Sequence, residues 1–252
     1  MVALDEIVSY LDKELNTASI LDHQGAFNGL QLANSSGKIS RVIAAVDASL
    51  PVIEAVAAEG GGLLIVHHGM FWQGVQPVTG AFYRKLKISM EADLAIYSSH
   101  LPLDIHPEWG NNILLARAIK LQKPLPFLDY RGSFMGLRGE WQGRRGLLVE
   151  ILESFVSGSV HVCPGGPDLI SKIGIITGGA GSEVVKVAAV GVDTFITGEG
   201  PHWSYPLAQE LGVNLIYCGH YASETTGVKA LAAGLAHHFG IQWTFTDLPT
   251  GL

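Results

Sequence analysis

An order of strands and helices that occurs twice leaves few folds open to this chain of 252 residues. The run Gly-Leu-Leu-Ile-Val-His-His from residue 62 aligns with Val-Asp-Thr-Phe-Ile-Thr-Gly-Glu from residue 192. Ala-Ile-Tyr-Ser-Ser-His from residue 95 likewise aligns with Leu-Ile-Tyr-Cys-Gly-His from residue 215. Because strands alternate with helices in both passes, the strands are expected to pair mainly in parallel. The sequence therefore predicts two similar α/β lobes with mixed, mainly parallel sheets, residues 1–125 and 126–252, that arose by internal duplication.

Hydrophobic periodicity gives the expected elements of each pass. The first pass contains an amphipathic helix near residues 4–15, strands at 30–33, 42–46, 63–66 and 94–98, and helices at 51–59, 82–92 and 111–119. The second pass contains helices at 146–155, 182–190, 203–210 and 224–238, and strands at 160–163, 173–177, 194–197, 214–218 and 242–246. No element is predicted between residues 120 and 145.

Polar residues stand where several predicted strands end. His67 and His68 close one apolar run, Asp104 follows the next strand, and His220 and Glu224 follow a strand of the second pass. Open α/β sheets hold ligands at the carboxyl edge of their strands, so a site between the two lobes is expected. Imidazoles and carboxylates at such positions are the ligands from which a two-ion transition-metal site is built. The residues therefore predict a metalloprotein.

Composition excludes several classes of protein. A hydrophobic content of 48% supplies material for a buried core. A formal net charge of -7 opposes nucleic-acid binding, which needs clustered positive charge. No run of about 18 apolar residues and no basic leader is visible, which predicts a cytoplasmic protein that does not bind membranes. Cys163 and Cys218 lie far apart in sequence and are expected to be buried thiols.

Five short motifs, taken in order, resemble one known family. They are Asn28-Gly29-Leu30-Gln31, His67-His68-Gly69, His100-Leu101-Pro102-Leu103-Asp104, Ile196-Thr197-Gly198-Glu199 and Gly219-His220-Tyr221-Ala222-Ser223-Glu224. Each motif alone is weak, but the ordered set is similar to the NIF-three-like family, also called GTP cyclohydrolase one type two. The resemblance covers essentially the whole chain, in the short bacterial form that lacks the inserted domain of longer members.

The resemblance implies two intertwined α/β lobes, a site with two divalent transition-metal ions per subunit, and a toroidal homohexamer. It implies that His68 and Asp104 hold one ion, that His67 and His220 hold the other, and that Glu224 bridges both. Zinc, manganese, iron, cobalt or nickel suits such mixed ligands better than calcium does.

Two functions fit this site. The first is a metal-dependent hydrolase of the cyclohydrolase type, which acts through metal-bound hydroxide on a small anionic or nucleotide substrate. The second is a ring-shaped metal-binding scaffold or a metal-trafficking protein without catalysis.

His100 and Glu199 are the candidate catalytic residues, with a supporting or structural role as the alternative for each. The spacing around His202 departs from the family pattern, which leaves its role open. A role in packing is expected for the other histidines, namely His23, His106, His161, His237 and His238.

Three further segments each allow two interpretations. Gly178-Gly179-Ala180-Gly181 either forms a tight turn or presents N–H groups to a phosphate. Residues 28–31 either line the cleft or form an ordinary turn. Met70, Phe71 and Trp72 either shield the site and stack on a substrate, or pack within the protein.

Overall fold

The computed structural model describes all residues 1–252, and packing groups them into two units. Unit 1 comprises Met1–Leu103 and Gly227–Leu248, and unit 2 comprises Asp104–Thr226 and Pro249–Leu252. The division after residue 125, which follows from the repeat in sequence order, stays a prediction.

Thirteen strands and nine α-helices follow one another along the chain. The first part contains β1 Val2–Ala3, α1 Leu4–Glu14, β2 Gly29–Leu32, β3 Lys38–Ile39, β4 Arg41–Asp47, α2 Leu50–Ala58, β5 Leu63–His68, α3 Gly80–Glu91, β6 Ala95–Ser98, α4 Leu101–Asp104 and α5 Asn111–Ala118. The second part contains β7 Gln122–Tyr130, β8 Ser133–Arg144, α6 Arg145–Val156, β9 His161–Pro164, β10 Leu169–Ile175, a 3-10 helix Gly181–Glu183, α7 Val184–Ala189, β11 Thr194–Thr197, α8 Ser204–Glu210, β12 Asn214–Tyr217, α9 His220–Phe239 and β13 Gln242–Phe245. None of these helices is both long and apolar enough to cross a membrane.

The main sheet of unit 1 has the order β13-β4-β5-β6-β2. Its first four strands pair in parallel, and β2 runs antiparallel to β6. Strand β5 is apolar from Leu63 to Val66 because helices cover both faces of a parallel sheet. Helix α2 begins where Ser49 Oγ accepts a hydrogen bond from Val52 N (3.3 Å), the usual cap of a helix that follows a strand.

The sheet of unit 2 has the order β7-β8-β10-β11-β12-β9. Only β10, β11 and β12 pair in parallel, so mainly parallel pairing does not hold in this sheet. The cause is the hairpin β7–β8, which the sequence does not predict because Pro124 and Pro126 interrupt the pattern of β7. These prolines are tolerated because β7 is an edge strand.

The predicted duplication is visible in the two sheets. In unit 1 the parallel strands β4, β5 and β6 are flanked by the antiparallel strand β2, and in unit 2 the strands β10, β11 and β12 are flanked by β9. Each flanking strand precedes its three partners in the chain. This shared arrangement confirms an α/β fold with mixed sheets.

Side chains on successive residues of unit 2 enter different core clusters. Ile196 and Ile216 pack with Trp141 and Cys218, whereas Phe195 and Leu215 pack in a second cluster. The alternation shows that the sheet is covered on both faces, as its continuous apolar strands require. Cys163 and Cys218 are buried free thiols, as predicted.

Candidate metal site

Three histidines of unit 1 converge at the carboxyl ends of β5 and β6. His67 and His68 are the last residues of β5, and His100 lies between β6 and α4. One ring nitrogen from each lies within 4.8 Å of the others. The ring centroid of His67 is 4.9 Å from that of His68 and 4.9 Å from that of His100. Their proximity makes these three imidazoles a candidate ligand set.

The rings of His67 and His68 lie close to each other at the end of β5. Adjacent strand residues normally point to opposite faces, which favours one ion for each ring. At the end of β5, the ring centroids of His67 and His68 lie 4.9 and 5.7 Å from that of His100. Both rings are therefore close to His100, and the assignment of each ring to a different ion stays a prediction.

Each of these rings has its Nδ1 held by an oxygen. His67 Nδ1 lies 2.9 Å from Ser99 O, and because a carbonyl oxygen only accepts, this nitrogen is the donor. His68 Nδ1 lies 2.8 Å from Asp47 Oδ1, and Asp47 is its register partner on β4. The remaining nitrogen, Nε2, is therefore the one that His67 and His68 offer to a metal, an arrangement common in metal sites.

Asp22 does the same for His100. Its Oδ1 and Oδ2 lie 2.9 and 3.1 Å from His100 Nδ1. Leu101 N, Asn28 Nδ2 and His23 N also donate to this carboxylate. Burial raises the pKa of Asp22, but the hydrogen bond and charge of His100, with the other donors, lower it to about 2. Asp22 therefore stays ionised and fixes the ring of His100.

The carboxylates behind these rings lack a clear sequence signal. Asp47 ends β4 just as His68 ends β5, so its strand-end position could have identified it. Asp22 lies in an irregular segment, and nothing in its local sequence marks it. Asn28 Oδ1 accepts from His100 N (2.7 Å), which places Asn28 in the support of this loop.

Trp72 stands beside the histidines, whereas its two predecessors pack in the core. The Trp72 ring meets His100 edge-on at 4.8 Å and His68 at 5.5 Å. It remains 37% exposed. Met70 and Phe71 belong to the core cluster of unit 1. Of these three residues, Trp72 is thus the one placed to shield the imidazoles.

In unit 2, the first turn of α9 brings His220 and Glu224 together. The helix begins at His220, four residues earlier than predicted, so the two side chains share one face. His220 Nε2 lies 3.3 Å from Glu224 Oε2. Carboxylate oxygens of Glu224 and Asp104 lie within 4.8 Å of each other, and both residues are buried. Two buried carboxylates this close attract a cation.

The fourth histidine is held in the same manner as the other three. His220 Nδ1 lies 2.8 Å from Glu199 Oε1. Burial lowers the pKa of His220, but the hydrogen bonds and charges of Glu224 and Glu199 raise it to about 9. Positive charge is therefore stabilised at this imidazole. Glu199 is close enough to orient His220, whereas His202 is exposed on the following loop.

Asp104 is fixed by neighbours in unit 2. Asn111 Nδ2 donates to its Oδ1 (2.9 Å), and Thr177 Oγ1 lies 3.4 Å from the same oxygen. Asn112 Nδ2 donates to its main-chain oxygen (3.1 Å). A cavity of about 380 Å³ opens beside Asp104 and is lined mainly by apolar side chains, among them Ile105, Phe134 and Leu137. Its volume is within the range of small-molecule pockets.

The glycine loop of residues 178–181 is a structural turn against Glu224. Gly178 has a φ of +70°, and a Cβ built there would lie 2.2 Å from Glu224 Oε1. Gly178 N donates to Ser223 Oγ (3.1 Å), and Gly178 O accepts from Gly198 N (2.8 Å). Since these main-chain groups bond within the protein, the tight-turn interpretation fits better than a phosphate loop.

The ligands present suit a divalent transition metal. Unit 1 offers three imidazoles, and unit 2 offers one imidazole and two carboxylates. Each of the four rings has its Nδ1 on an oxygen. This combination favours zinc, manganese, iron, cobalt or nickel over a cation that needs only oxygen ligands.

Comparison with known proteins shows the family of the chain. The family model described as Duf34/NIF3 (NGG1p interacting factor 3) matches residues 2–250. The chain belongs to this family. A Deinococcus radiodurans protein called "GTP cyclohydrolase 1 type 2 homolog" is 38% identical, over 100% of this chain and 95% of that protein. A Pyrococcus abyssi relative of the same name is 38% identical over 98% of this chain and 99% of its own.

Solved structures of the family share the fold. TTHA1606 from Thermus thermophilus superposes with a TM-score of 0.91 at 35% identity and covers 100% of both chains. Reduced HcgD from Methanocaldococcus jannaschii gives a TM-score of 0.88 at 28% identity and covers 98% of each chain. These matches confirm the resemblance found in the motifs.

Proposed function

We propose that the protein is a metal-dependent hydrolase that binds two divalent transition-metal ions per chain. The observation that carries this proposal is the common arrangement of His67, His68, His100 and His220. In each ring an oxygen holds Nδ1, so Nε2 is the nitrogen that a metal would take, and Nε2 of His220 lies beside the carboxylate of Glu224. Histidines that serve only in packing do not require an oxygen at Nδ1 in all four cases. The name of the relatives, GTP cyclohydrolase 1 type 2 homolog, favours hydrolysis as the use of the site.

The proposed ligands follow the family pattern. His68 and Asp104 would hold one ion, His67 and His220 the other, and Glu224 would bridge them. The bridging role is supported within unit 2, where Glu224 lies near both Asp104 and His220. When bound, such ions act as Lewis acids on a substrate and lower the pKa of water.

The remaining polar groups would position and move protons. Asp22 holds Nδ1 of His100, so Nε2 is the nitrogen through which a protonated His100 would give a proton to a leaving group. Glu199 would keep His220 oriented. Trp72, on the rings of His68 and His100, would limit the access of water. The substrate class is a small anionic compound or nucleotide, which the positive charge of two ions would attract.

The test is an activity assay linked to metal content. Loaded wild-type protein should open the ring of GTP or cleave a generic phosphoester, and chelation should abolish the activity. At saturating metal, where both ions are bound, His100→Ala should lower turnover by about 100-fold, as expected for the loss of a proton donor. His202→Ala is the control, because His202 is exposed on a loop. If loaded wild-type protein turns over nothing above its metal-free form across a broad panel, a non-catalytic scaffold replaces the hydrolase.

We also propose that the protein works in the cytoplasm as a toroidal homohexamer, as the family resemblance implies. The exposed apolar side chains of Leu125, Phe134 and Leu147, at 58%, 51% and 51%, support association between copies. Light scattering should give a mass near six times 26.9 kDa. A mass of one chain over a wide concentration range would contradict the hexamer.

A further inference from the structure

We propose that unit 1 alone forms a complete site for the first ion, in which the imidazoles of His67, His68 and His100 are the three ligands. This inference rests on the proposed metal-binding function and deepens it. It assigns His100 to the metal in the singly loaded protein and sets an order of loading. Asp104, His220 and Glu224 are then needed for the second ion.

The geometry of the three rings carries the proposal. Their ligand nitrogens already lie within 4.8 Å of one another without an ion. Two nitrogens on one zinc ion, each at 2.0–2.1 Å, are separated by about 3.4 Å in tetrahedral geometry. Closing the cluster therefore takes a movement of about 1 Å, which side-chain rotation supplies. Three imidazoles with an open fourth position are a known ligand set for zinc.

The support behind the rings distinguishes them from structural histidines. The acceptors for their Nδ1 atoms are an oxygen of Ser99, of Asp47 and of Asp22. His106 offers the opposite case. Its Nδ1 accepts from Glu108 N (3.2 Å) and Trp109 N (3.0 Å), so the ring caps a turn. In a neutral ring whose Nδ1 donates to an oxygen, Nε2 is the acceptor that a metal requires.

The charges of unit 1 also suit one divalent ion. Three neutral imidazoles leave a bound ion with its full positive charge. The carboxylates of Asp47 and Asp22 lie directly behind His68 and His100 and offset that charge through the rings. Carboxylates in this position increase the basicity of the ligating imidazole and fix its orientation. The two carboxylates of unit 1 thus balance the charge of a single divalent ion, although neither is a ligand.

Ordered loading gives His100 two successive roles. In the singly loaded protein, His100 is the third ligand of the ion. In a doubly loaded protein, Asp104 and Glu224 would supply ligands, so His100 would no longer be needed on the ion and could donate a proton to the substrate. A protein with one ion is then expected to be inactive.

The test is to remove the ligands of unit 2 and measure what remains. The triple variant Asp104→Ala, His220→Ala, Glu224→Ala should retain about one Co²⁺ or Zn²⁺ per chain after dialysis, measured by elemental analysis. Adding His100→Ala should remove it and the visible absorption of bound Co²⁺. Adding His23→Ala is the matched control, because its ring lies 5.8 Å from that of His100 outside the set of three. This control should keep the ion.

The outcomes separate this inference from the proposed function. A wild-type protein with two ions and a folded triple variant with none would overturn the inference alone. A wild-type protein that binds no metal would overturn both. If the triple variant does not fold, single His100→Ala decides. It should weaken the first Co²⁺ equivalent at least about tenfold in a titration, and an unchanged first equivalent would overturn the inference.

Discussion

Glu224→Ala is expected to abolish the state with two ions. Glu224 is 2% exposed, and its carboxylate lies near the carboxylate of Asp104 and the imidazole of His220. The substitution removes the one proposed bridging ligand, so affinity for the second ion should fall by at least about 100-fold. The first ion should still bind at the imidazoles of unit 1, so the chain should retain about one ion after dialysis. Elemental analysis against wild-type protein measures this loss.

The loss of metal should not reflect loss of the fold. In metal-free protein, Glu224→Ala relieves the repulsion between two buried carboxylates within 4.8 Å, but it also removes the partner of His220, so the two effects oppose each other. Thermal unfolding in the presence of a chelator should therefore show no large drop in the midpoint. Glu210→Ala, an exposed glutamate on α8, is the matched control and should bind two ions. Equal metal in wild type and Glu224→Ala would exclude the bridging role.

His68→Ala makes a useful contrast with this substitution. Its proposed role is on one ion, so its effect in the doubly loaded protein should be confined chiefly to that ion. In the singly loaded protein His68 is one of three imidazole ligands, so binding of the first metal ion should weaken too. The two substitutions together thus distinguish a ligand of one ion from a bridge.

The parallel core could be predicted from the sequence, but the added hairpin could not. Strands such as Leu63–His68 and Thr194–Thr197 are short apolar runs between helices, which indicate buried parallel strands directly. The strands Gln122–Tyr130 and Ser133–Arg144 lack that signal because much of the hairpin is exposed and β7 contains two prolines. Their pairing is decided by long-range contacts with β10, which local periodicity does not report.

The site shows the same limit. His67, His68 and His220 stand at ends of strands, so topology alone predicts that they line a sheet edge. Asp22 reaches His100 across 78 residues, and only the folded chain reveals that contact. The orientation of the imidazole rings also cannot be predicted from the sequence. Local alternation does not say which nitrogen of His67 or His68 is held, whereas the hydrogen bonds to Ser99 and Asp47 show that it is Nδ1.

Gly178→Ala is expected to damage both stability and metal binding. At a φ of +70° an alanine costs about 1–2 kcal/mol in backbone strain. Its Cβ would also lie 2.2 Å from Glu224 Oε1, so the carboxylate must move, and overpacking of this kind costs about 1–3 kcal/mol more. Thermal or denaturant unfolding should show a loss of about 2–5 kcal/mol. Metal content should fall because Glu224 is displaced.

Gly191→Ala supplies the control for backbone strain. Gly191 has a similar φ of +76°, but a Cβ there meets no atom within 4 Å. Its substitution should therefore cost only the strain and leave metal content unchanged. The difference between the two variants isolates the displacement of Glu224.

A double-mutant cycle completes the argument. In a Glu224→Ala background the clash at Gly178 is absent, because the next atom in the way, His220 Nε2, is 3.6 Å from the added Cβ. The cost of Gly178→Ala should then fall to that of Gly191→Ala, which gives a coupling energy of about 1–3 kcal/mol. Equal costs of Gly178→Ala with and without Glu224 would mean that the loop does not fix this carboxylate. If the cost of Gly178→Ala falls to that of Gly191→Ala when Glu224 is absent, the turn at Gly178 holds Glu224 in place for the ions.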